Sequence, residues 1–352
     1  CMLLDLIEKL PVDLLGTLVL GYFDLSNIVR LEIACGSRES YQLFLNLIPH
    51  APPVVLPSSK QLTITALEWF ANRRCKLDSI IMYLPNISAL YVKNLHVDKL
   101  ELHLQSNTTV DEIKPLFNNP MSYIVKTIII NCDLDILVLE QLSICTSNVN
   151  KLQIYSSCFY RRLNKTILSR WKLKTLYLDG IQFITPLLTL IVQTCSELTT
   201  IQLSSNTLDD AVVMIVAQHC PKLEKLILHE ILETSTLTYQ SLLTLSEYKL
   251  PLQELSITHV PIIPTADIAR SCSHALSCIR NFNPDNFVCN QQSRHNLIPY
   301  MTGLTSIHLD YSCHSYIPLL LQYCQKLTEL NFSGTSFTDT VILSLIRANP
   351  LL

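Results

Sequence analysis

The sequence predicts an α/β solenoid: a parallel sheet on the inner side of a curved stack, helices on the outer side, and a small all-α segment in front. Three observations carry the prediction. From residue 125 on, a strand-sized apolar pattern recurs at near-constant spacing, each recurrence is followed by a stretch with helical spacing, and residues 1–48 show helical spacing alone. The unit is plainest between Cys195 and Leu228. Cys195, Leu198, Ile201 and Leu203 repeat as Cys220, Leu223, Leu226 and Leu228, 25 residues later, with Leu208, Val212, Ile215 and Val216 at helical spacing between them.

The first motif positions fall at Val125, Val149, Leu173, Leu198, Leu223, Leu252, Leu276, Leu304, Leu327 and Leu351, at intervals of 24, 24, 25, 25, 29, 24, 28, 23 and 24 residues. Periods in this range with Leu-x-x-Leu-x-Leu are the signature of leucine-rich repeats. A single unit cannot bury its apolar face alone, so neighbours must stack, and intervals this long leave room for a true helix. Helices are expected at Ser241–Tyr248 and Thr338–Arg347.

Taken in order, residues 1–48 lack the strand motif. Leu14, Leu15 and Leu18 follow Leu10-Pro11, and Pro11 suits a helix start. Asp24 or Ser26 can cap a second helix through Ile28, Leu31 and Cys35, and a third runs through Tyr41, Phe44, Leu45 and Ile48. Leu10-Pro11-x-Asp13-Leu14-Leu15-x-x-Leu18, then Tyr22-Phe23-Asp24-Leu25-Ser26-Asn27-Ile28, then Arg30-Leu31 and Cys35, resembles the F-box. The resemblance implies a helical module docking on the Skp adaptor of a cullin–RING ubiquitin ligase through Leu10, Pro11, Leu14, Leu15, Leu18 and Ile28. The sequence departs from the family after Cys35, where Gly36-Ser37-Arg38-Glu39 lacks the usual Trp. Two other readings stand beside it. The helices could only cap the first repeat, or form a box for the elongin adaptor through Leu3 and Ile7.

Residues 49–60 begin with four prolines in nine positions, Pro49 to Pro57, and form an extended connector. Residues 61–124 are irregular first repeats. Helical spacing at Leu62, Ile64, Leu67, Trp69 and Phe70 precedes strand-like pieces at Leu77–Ile80, Ile87–Val92 and Val97–Leu102. The last two start only ten residues apart, too close for a full strand-plus-helix unit. Residues 125–352 are the regular array, expected to continue beyond Leu352 because Leu351 opens a further motif. Cys195, Cys220 and Cys324 each precede a motif leucine by three residues, which resembles the cysteine-containing repeats of receptors that also carry an F-box.

Composition narrows the chemistry. A formal charge of −3 and no basic run argue against nucleic acid as a partner. The longest charge-free apolar stretch, 180–196, is broken by Gln182, Thr185, Pro186, Gln193 and Thr194, so no membrane span is expected. Asp5 and Glu8 stand where an export signal carries positive charge. Six glycines leave no phosphate-cradling loop. Thirteen cysteines without a compact framework point to reduced, buried thiols and a cytoplasmic or nuclear setting. Cys272, His274, Cys278, Cys289 and His295 lack matched metal-ligand pairs and straddle an expected strand through Leu276 and Ile279, so neither a metal nor any other cofactor is expected. No catalytic set has convincing spacing.

What remains is the inner face of the sheet. Residues alternating with the buried motif positions point to solvent there. They are Lys151, Gln153 and Tyr155; Thr175, Tyr177 and Asp179; Thr200, Gln202 and Ser204; Lys225, Ile227 and His229; Glu254, Ser256 and Thr258; Arg280; Ser306, His308 and Asp310; and Glu329, Asn331 and Ser333. At about 4.8 Å per strand, ten strands span about 45 Å, the size of a protein partner rather than a small molecule. Tyr155, Tyr177, Asp179, Gln202, Lys225, His229, Arg280, His308 and Asp310 are the candidate contacts, with Tyr155, Tyr177 and Arg280 the expected anchors. With the F-box resemblance, the chain reads as a non-catalytic substrate receptor of a ubiquitin ligase. Without it, it reads as a repeat scaffold or inhibitor with residues 1–48 as a cap.

Overall fold

The computed structural model describes residues 42, 45, 68, 70–73, 76–83, 96–104, 108–114, 124–131, 135–155, 163–181, 184–205, 207–230, 237–257, 265–282, 295–309, 317–332 and 338–351. Apart from Gln42 and Leu45, which are helical, the expected F-box-like segment, including Leu10, Pro11, Leu14, Leu15, Leu18 and Ile28, lies outside them, as do the connector, Trp69 and the Ile87–Val92 piece. The chain divides into two compact units, Cys1–Asn150 and Lys151–Leu352.

The first unit holds strands β1 (Lys76–Tyr83), β2 (His96–Leu104) and β3 (Val125–Ile130), with helices α1 (Val110–Ile113) and α2 (Ile136–Cys145). β1 pairs parallel with β2, Leu77 opposite Val97. β2 pairs parallel with β3 through a register shift between Leu100 and Glu101. Leu77, Leu100, Leu102, Leu104, Val125, Ile128 and Ile130 are buried together with Phe70. α2 starts because the Asp135 carboxylate accepts from the Leu137 N–H at 2.8 Å. It buries Val138, Leu139 and Leu142, one apolar stripe at helical spacing. At its end the buried Thr146 hydroxyl donates to the Leu142 carbonyl at 2.6 Å.

The second unit alternates strands and helices in the expected phase: β4 (Lys151–Ile154), α3 (Lys165–Leu168), β5 (Thr175–Asp179), α4 (Ile184–Thr194), β6 (Thr200–Ser205), α5 (Asp210–His219), β7 (Lys225–Glu230), α6 (Tyr239–Tyr248) and β8 (Glu254–Ile257). β4 to β8 pair in order, all parallel. The rest comprises α7 (Ala266–Ser271), α8 (Ser273–Ser277), β9 (Asn281–Phe282), β10 (Ser306–Leu309), α9 (Ile317–Tyr323), β11 (Glu329–Phe332) and α10 (Asp339–Ala348). β9, β10 and β11 form a second parallel run. No described helix is long and apolar enough to cross a membrane, and the 180–196 stretch contains α4.

Nine of the ten motif openers, Val125 to Leu327, are at most 7% exposed. Leu351 is 67% exposed. The residue after an opener carries a backbone ladder along the second unit, except after Leu276, where Arg280 takes that place. The amide of Thr199 donates to Lys174 O, Glu224 to Thr199 O, Gln253 to Glu224 O, Thr305 to Arg280 O and Thr328 to Thr305 O, at 2.7 to 2.9 Å. Parallel strands need crossover connections, and from β4 to β8 the repeat supplies one helix between each strand and the next. The unit is therefore an α/β leucine-rich-repeat stack.

Helix starts follow their capping residues: Asn164 accepts from the Ile167 N–H, Asp209 from Val212, and Thr265 from Ile268. Asp210, in the first turn of α5, serves its neighbour instead. Its carboxylate accepts from the Thr238 N–H at 2.9 Å, from the Thr238 hydroxyl at 2.6 Å and from the Ser241 hydroxyl, tying the start of α6 to the helix before it.

The cysteines sit in the packing between repeats. The thiol of Cys195 reaches Leu168 O at 4.0 Å, that of Cys278 donates to Leu252 O at 3.1 Å, and that of Cys324 to Met301 O at 3.7 Å. All three are buried and free. Beside α10, the buried Asn349 extends this pattern with an amide: its Oδ1 accepts from the Leu327 N–H at 3.0 Å and its Nδ2 donates to Leu345 O at 3.1 Å.

Leu276 and Ile279 do not form the strand that their spacing predicts: Leu276 lies in α8 and only Ile279 bridges to Leu255. Local partners favour the helix there. The Leu276 N–H bonds to Cys272 O at 3.0 Å and the Ala275 N–H to the Ser246 hydroxyl at 3.1 Å. Both apolar residues are still buried, at 0% and 1%, so the pattern's core role survives while its strand shrinks to Asn281–Phe282.

Candidate interaction face

Alternation in β4–β8 separates a buried side from a solvent side. Leu152, Ile154, Leu176, Leu178, Ile201, Leu203, Leu226, Leu228, Leu255 and Ile257 point inward and are at most 8% exposed. The intervening residues align into rows. Lys151, Thr175, Thr200, Lys225 and Glu254 are register partners in sequence, and so are Gln153, Tyr177, Gln202, Ile227 and Ser256. Asp179, Ser204 and His229 form a third row, with Tyr155 one residue beyond the Ile154–Leu178 pair. Five strands at about 4.8 Å spacing give a face about 19 Å wide. The expected unbroken run of strands is interrupted after β8, where a single bridge leads to the shorter run β9–β11.

The face is mixed in charge. Lys225 Nζ lies 2.7 Å from Glu254 Oε2, a pair that the register puts side by side. Partly exposed, at 38% and 30%, such a pair contributes about 0–1 kcal/mol, so it fixes side-chain positions more than stability. Sequence reading gave both residues without their pairing; the 29-residue interval that aligns them was the available signal.

Tyr155 and Tyr177 meet, as their positions in the stack imply, with ring centroids 5.2 Å apart and a 44° tilt. The Tyr177 hydroxyl is 3.5 Å from Asp179 Oδ2. Burial, then the Asp179 charge and the second phenol, push the Tyr177 hydroxyl above its ordinary range, so it stays a neutral donor. Gln202 and Lys225 are half-buried on the same face, and His229 is exposed at its edge.

Arg280 is placed differently from the expected anchor. Its Nη1 donates to Gly303 O at 2.7 Å and Ser277 O at 3.3 Å, so the guanidinium holds the chain's own backbone beyond the break in the sheet. For His308 the structure describes the strand position in β10 but not the side chain, and Asp310 lies outside the described residues.

Cys272, His274 and Cys278 are engaged with backbone carbonyls. His274 Nε2 pairs with Leu250 O at 2.9 Å, Cys278 donates to Leu252 O, and the Cys272 thiol reaches Tyr239 O at 4.0 Å. Cys289 lies outside the described residues. Among the described residues no group of three or more His, Cys, Asp or Glu is placed to hold a metal ion. Burial pushes the thiols of Cys220 and Cys324 up to about 12 and those of Cys195 and Cys272 to about 11, well away from nucleophilic use.

No protein-family model and no curated protein matches the chain. Among solved structures, a chain of the Rad7 and Elc1 complex in yeast is similar at 16% identity and a TM-score of 0.49, over 100% of this chain and 88% of that one. The leucine-rich repeat-containing protein LegL7 from Legionella pneumophila is similar at 15% identity and a TM-score of 0.47, over 76% of this chain and 97% of that one. A Bacteroides fragilis protein follows at 12% identity and a TM-score of 0.33, over 69% and 67%. Likenesses of this size carry no weight on activity or partners. The architecture rests on the register and burial above.

Proposed function

We propose that this chain is the substrate-recognition subunit of a Skp–cullin–F-box ubiquitin ligase, acting in the cytoplasm or nucleus and doing no bond chemistry itself. The observation that carries it is the solvent face of β4–β8, three in-register rows of aromatic, polar and mixed-charge side chains on a buried apolar backing. A lattice of that kind suits a protein surface. Residues 1–48, through Leu10, Pro11, Leu14, Leu15, Leu18 and Ile28, supply the adaptor contact that the F-box resemblance implies. Residues 49–60 space that contact from the repeats. The mechanism is proximity: a receptor that holds substrate and adaptor together raises the local concentration of substrate lysines at the loaded conjugating enzyme. The reduced, buried thiols fit a compartment without disulfide formation.

The test is co-purification of the full chain with a Skp adaptor and a cullin. Retention by wild type, with loss on Leu10→Asp combined with Pro11→Ala, supports the ligase reading. Failure of wild type to bind, or equal binding by the double variant, sinks it in favour of a repeat scaffold with residues 1–48 as a cap. An elongin adaptor in the same assay tests the other box.

A further inference from the structure

We infer that Tyr155, Tyr177 and Asp179 form a receiving site for one arginine side chain of the bound protein. This deepens the reading of the face as a protein-binding surface and rests on it. The two rings are tilted by 44° with centroids 5.2 Å apart, so they do not close on each other as a flush stack. Tyr155 keeps 40% of its surface exposed. Asp179 lies at the end of β5, beyond the Leu178 position that pairs with Ile154, and therefore beside Tyr155 on one flank and Ser204 on the other. One carboxylate and two ring faces thus share one corner of the sheet.

Among the described residues no cation pairs with Asp179, which the Tyr177 hydroxyl reaches at a long 3.5 Å. A carboxylate has about four acceptor sites, so one long contact leaves most of its capacity unused. Lys151 stands four residues before Tyr155 on β4, about 13 Å away at about 3.3 Å per residue. That exceeds the Debye length of about 8 Å at physiological salt, so its charge is largely screened from Asp179. Lys225 is already taken by Glu254 at 2.7 Å. The tyrosine faces attract cations through their quadrupole, and the carboxylate adds a full charge. A guanidinium suits this corner better than an ammonium. It is planar, lies flat on a ring while its edge presents paired N–H groups to a carboxylate, and is easier to strip of water.

The probe is N-acetyl-arginine amide, titrated into the full chain carrying fluorotyrosine and followed by fluorine NMR, with Tyr155→Phe and Tyr177→Phe assigning the two signals. Saturable shifts of both signals are expected, weaker by at least about fivefold in Asp179→Asn and absent with the uncharged citrulline analogue. The lysine analogue should bind more weakly than arginine. Equal shifts with citrulline, no shift at these two signals, or an unchanged response in Asp179→Asn overturns the site. A folded state for each variant is checked by its unchanged melting curve. Because the probe needs no partner, these outcomes separate from the adaptor test: a chain that binds the adaptor yet ignores arginine loses only this site.

Discussion

The guanidinium of Arg280 fills the space in which any residue larger than glycine at position 303 would place its Cβ. A Cβ built on Gly303 overlaps Arg280 Nη1 and the Ser277 carbonyl oxygen. The arginine bonds both carbonyls, at 2.7 and 3.3 Å, so glycine and arginine specify each other across 23 residues of sequence. Gly303→Ala should destabilise the chain by about 1–3 kcal/mol, as overpacking does. Adding Arg280→Ala should recover only part of the loss, because the Ser277 oxygen belongs to backbone and stays in place. Urea melts of the two single variants and the double variant measure this; a wild-type midpoint for Gly303→Ala contradicts the contact.

Asn349 is wholly buried and serves a donor and an acceptor at once. Asn349→Leu should leave the Leu327 N–H without its partner, at a cost of about 1–3 kcal/mol. Faster hydrogen exchange at the Leu327 amide is the direct readout. Unchanged exchange there would show that the amide has another acceptor.

Adjacent aspartates do different work. Asp209 caps its own helix, whereas Asp210 grips Thr238 and Ser241 of the next. Asp209→Ala should cost about 1 kcal/mol, and its effect should add to that of Thr238→Ala. Asp210→Ala should be strongly non-additive with Thr238→Ala in a double-mutant cycle. Additivity for both aspartates would remove the clamp between α5 and α6.

The buried thiols set an alkaline limit. Well below pH 9 they are neutral folded and unfolded alike, so they add no pH dependence there. Between their ordinary value of 9.0 and the folded-state values of about 11 to 12, the unfolded chain loses thiol protons that the folded chain keeps. Stability should therefore fall as pH rises through that window, by up to about 1.4 kcal/mol per thiol for each pH unit. Denaturant melts at pH 8 and pH 10, with and without Cys220→Ala and Cys324→Ala, test this: the pH sensitivity should shrink in the variants. Maleimide at pH 8 should label these positions only on unfolding.

The repeat phase was legible because it is enforced by burial. Each opener from Val125 to Leu327 had to vanish from solvent, and period-two alternation then decided which residues of β4–β8 face out. What escaped depends on distance across repeats. The clamp from Asp210 to Thr238 crosses 28 residues and the tie from Arg280 to Gly303 crosses 23, and neither has a local signature. Arg280 looked like a surface anchor because its place in the pattern says nothing of where a long side chain turns. Leu276 misled because a helix and a strand can bury the same leucine.

The joint after β8 gives the second unit a mechanical character. Elsewhere a pull along the stack is shared by several parallel hydrogen bonds per strand pair. Between Leu255 and Ile279 the sheet offers one bridge, and the helical layer makes up the difference through Ser246, His274 and Cys278. Under tension the stack should part there first, yielding as two blocks that each keep their own pairing, in the way a zipper with one weak tooth opens at that tooth.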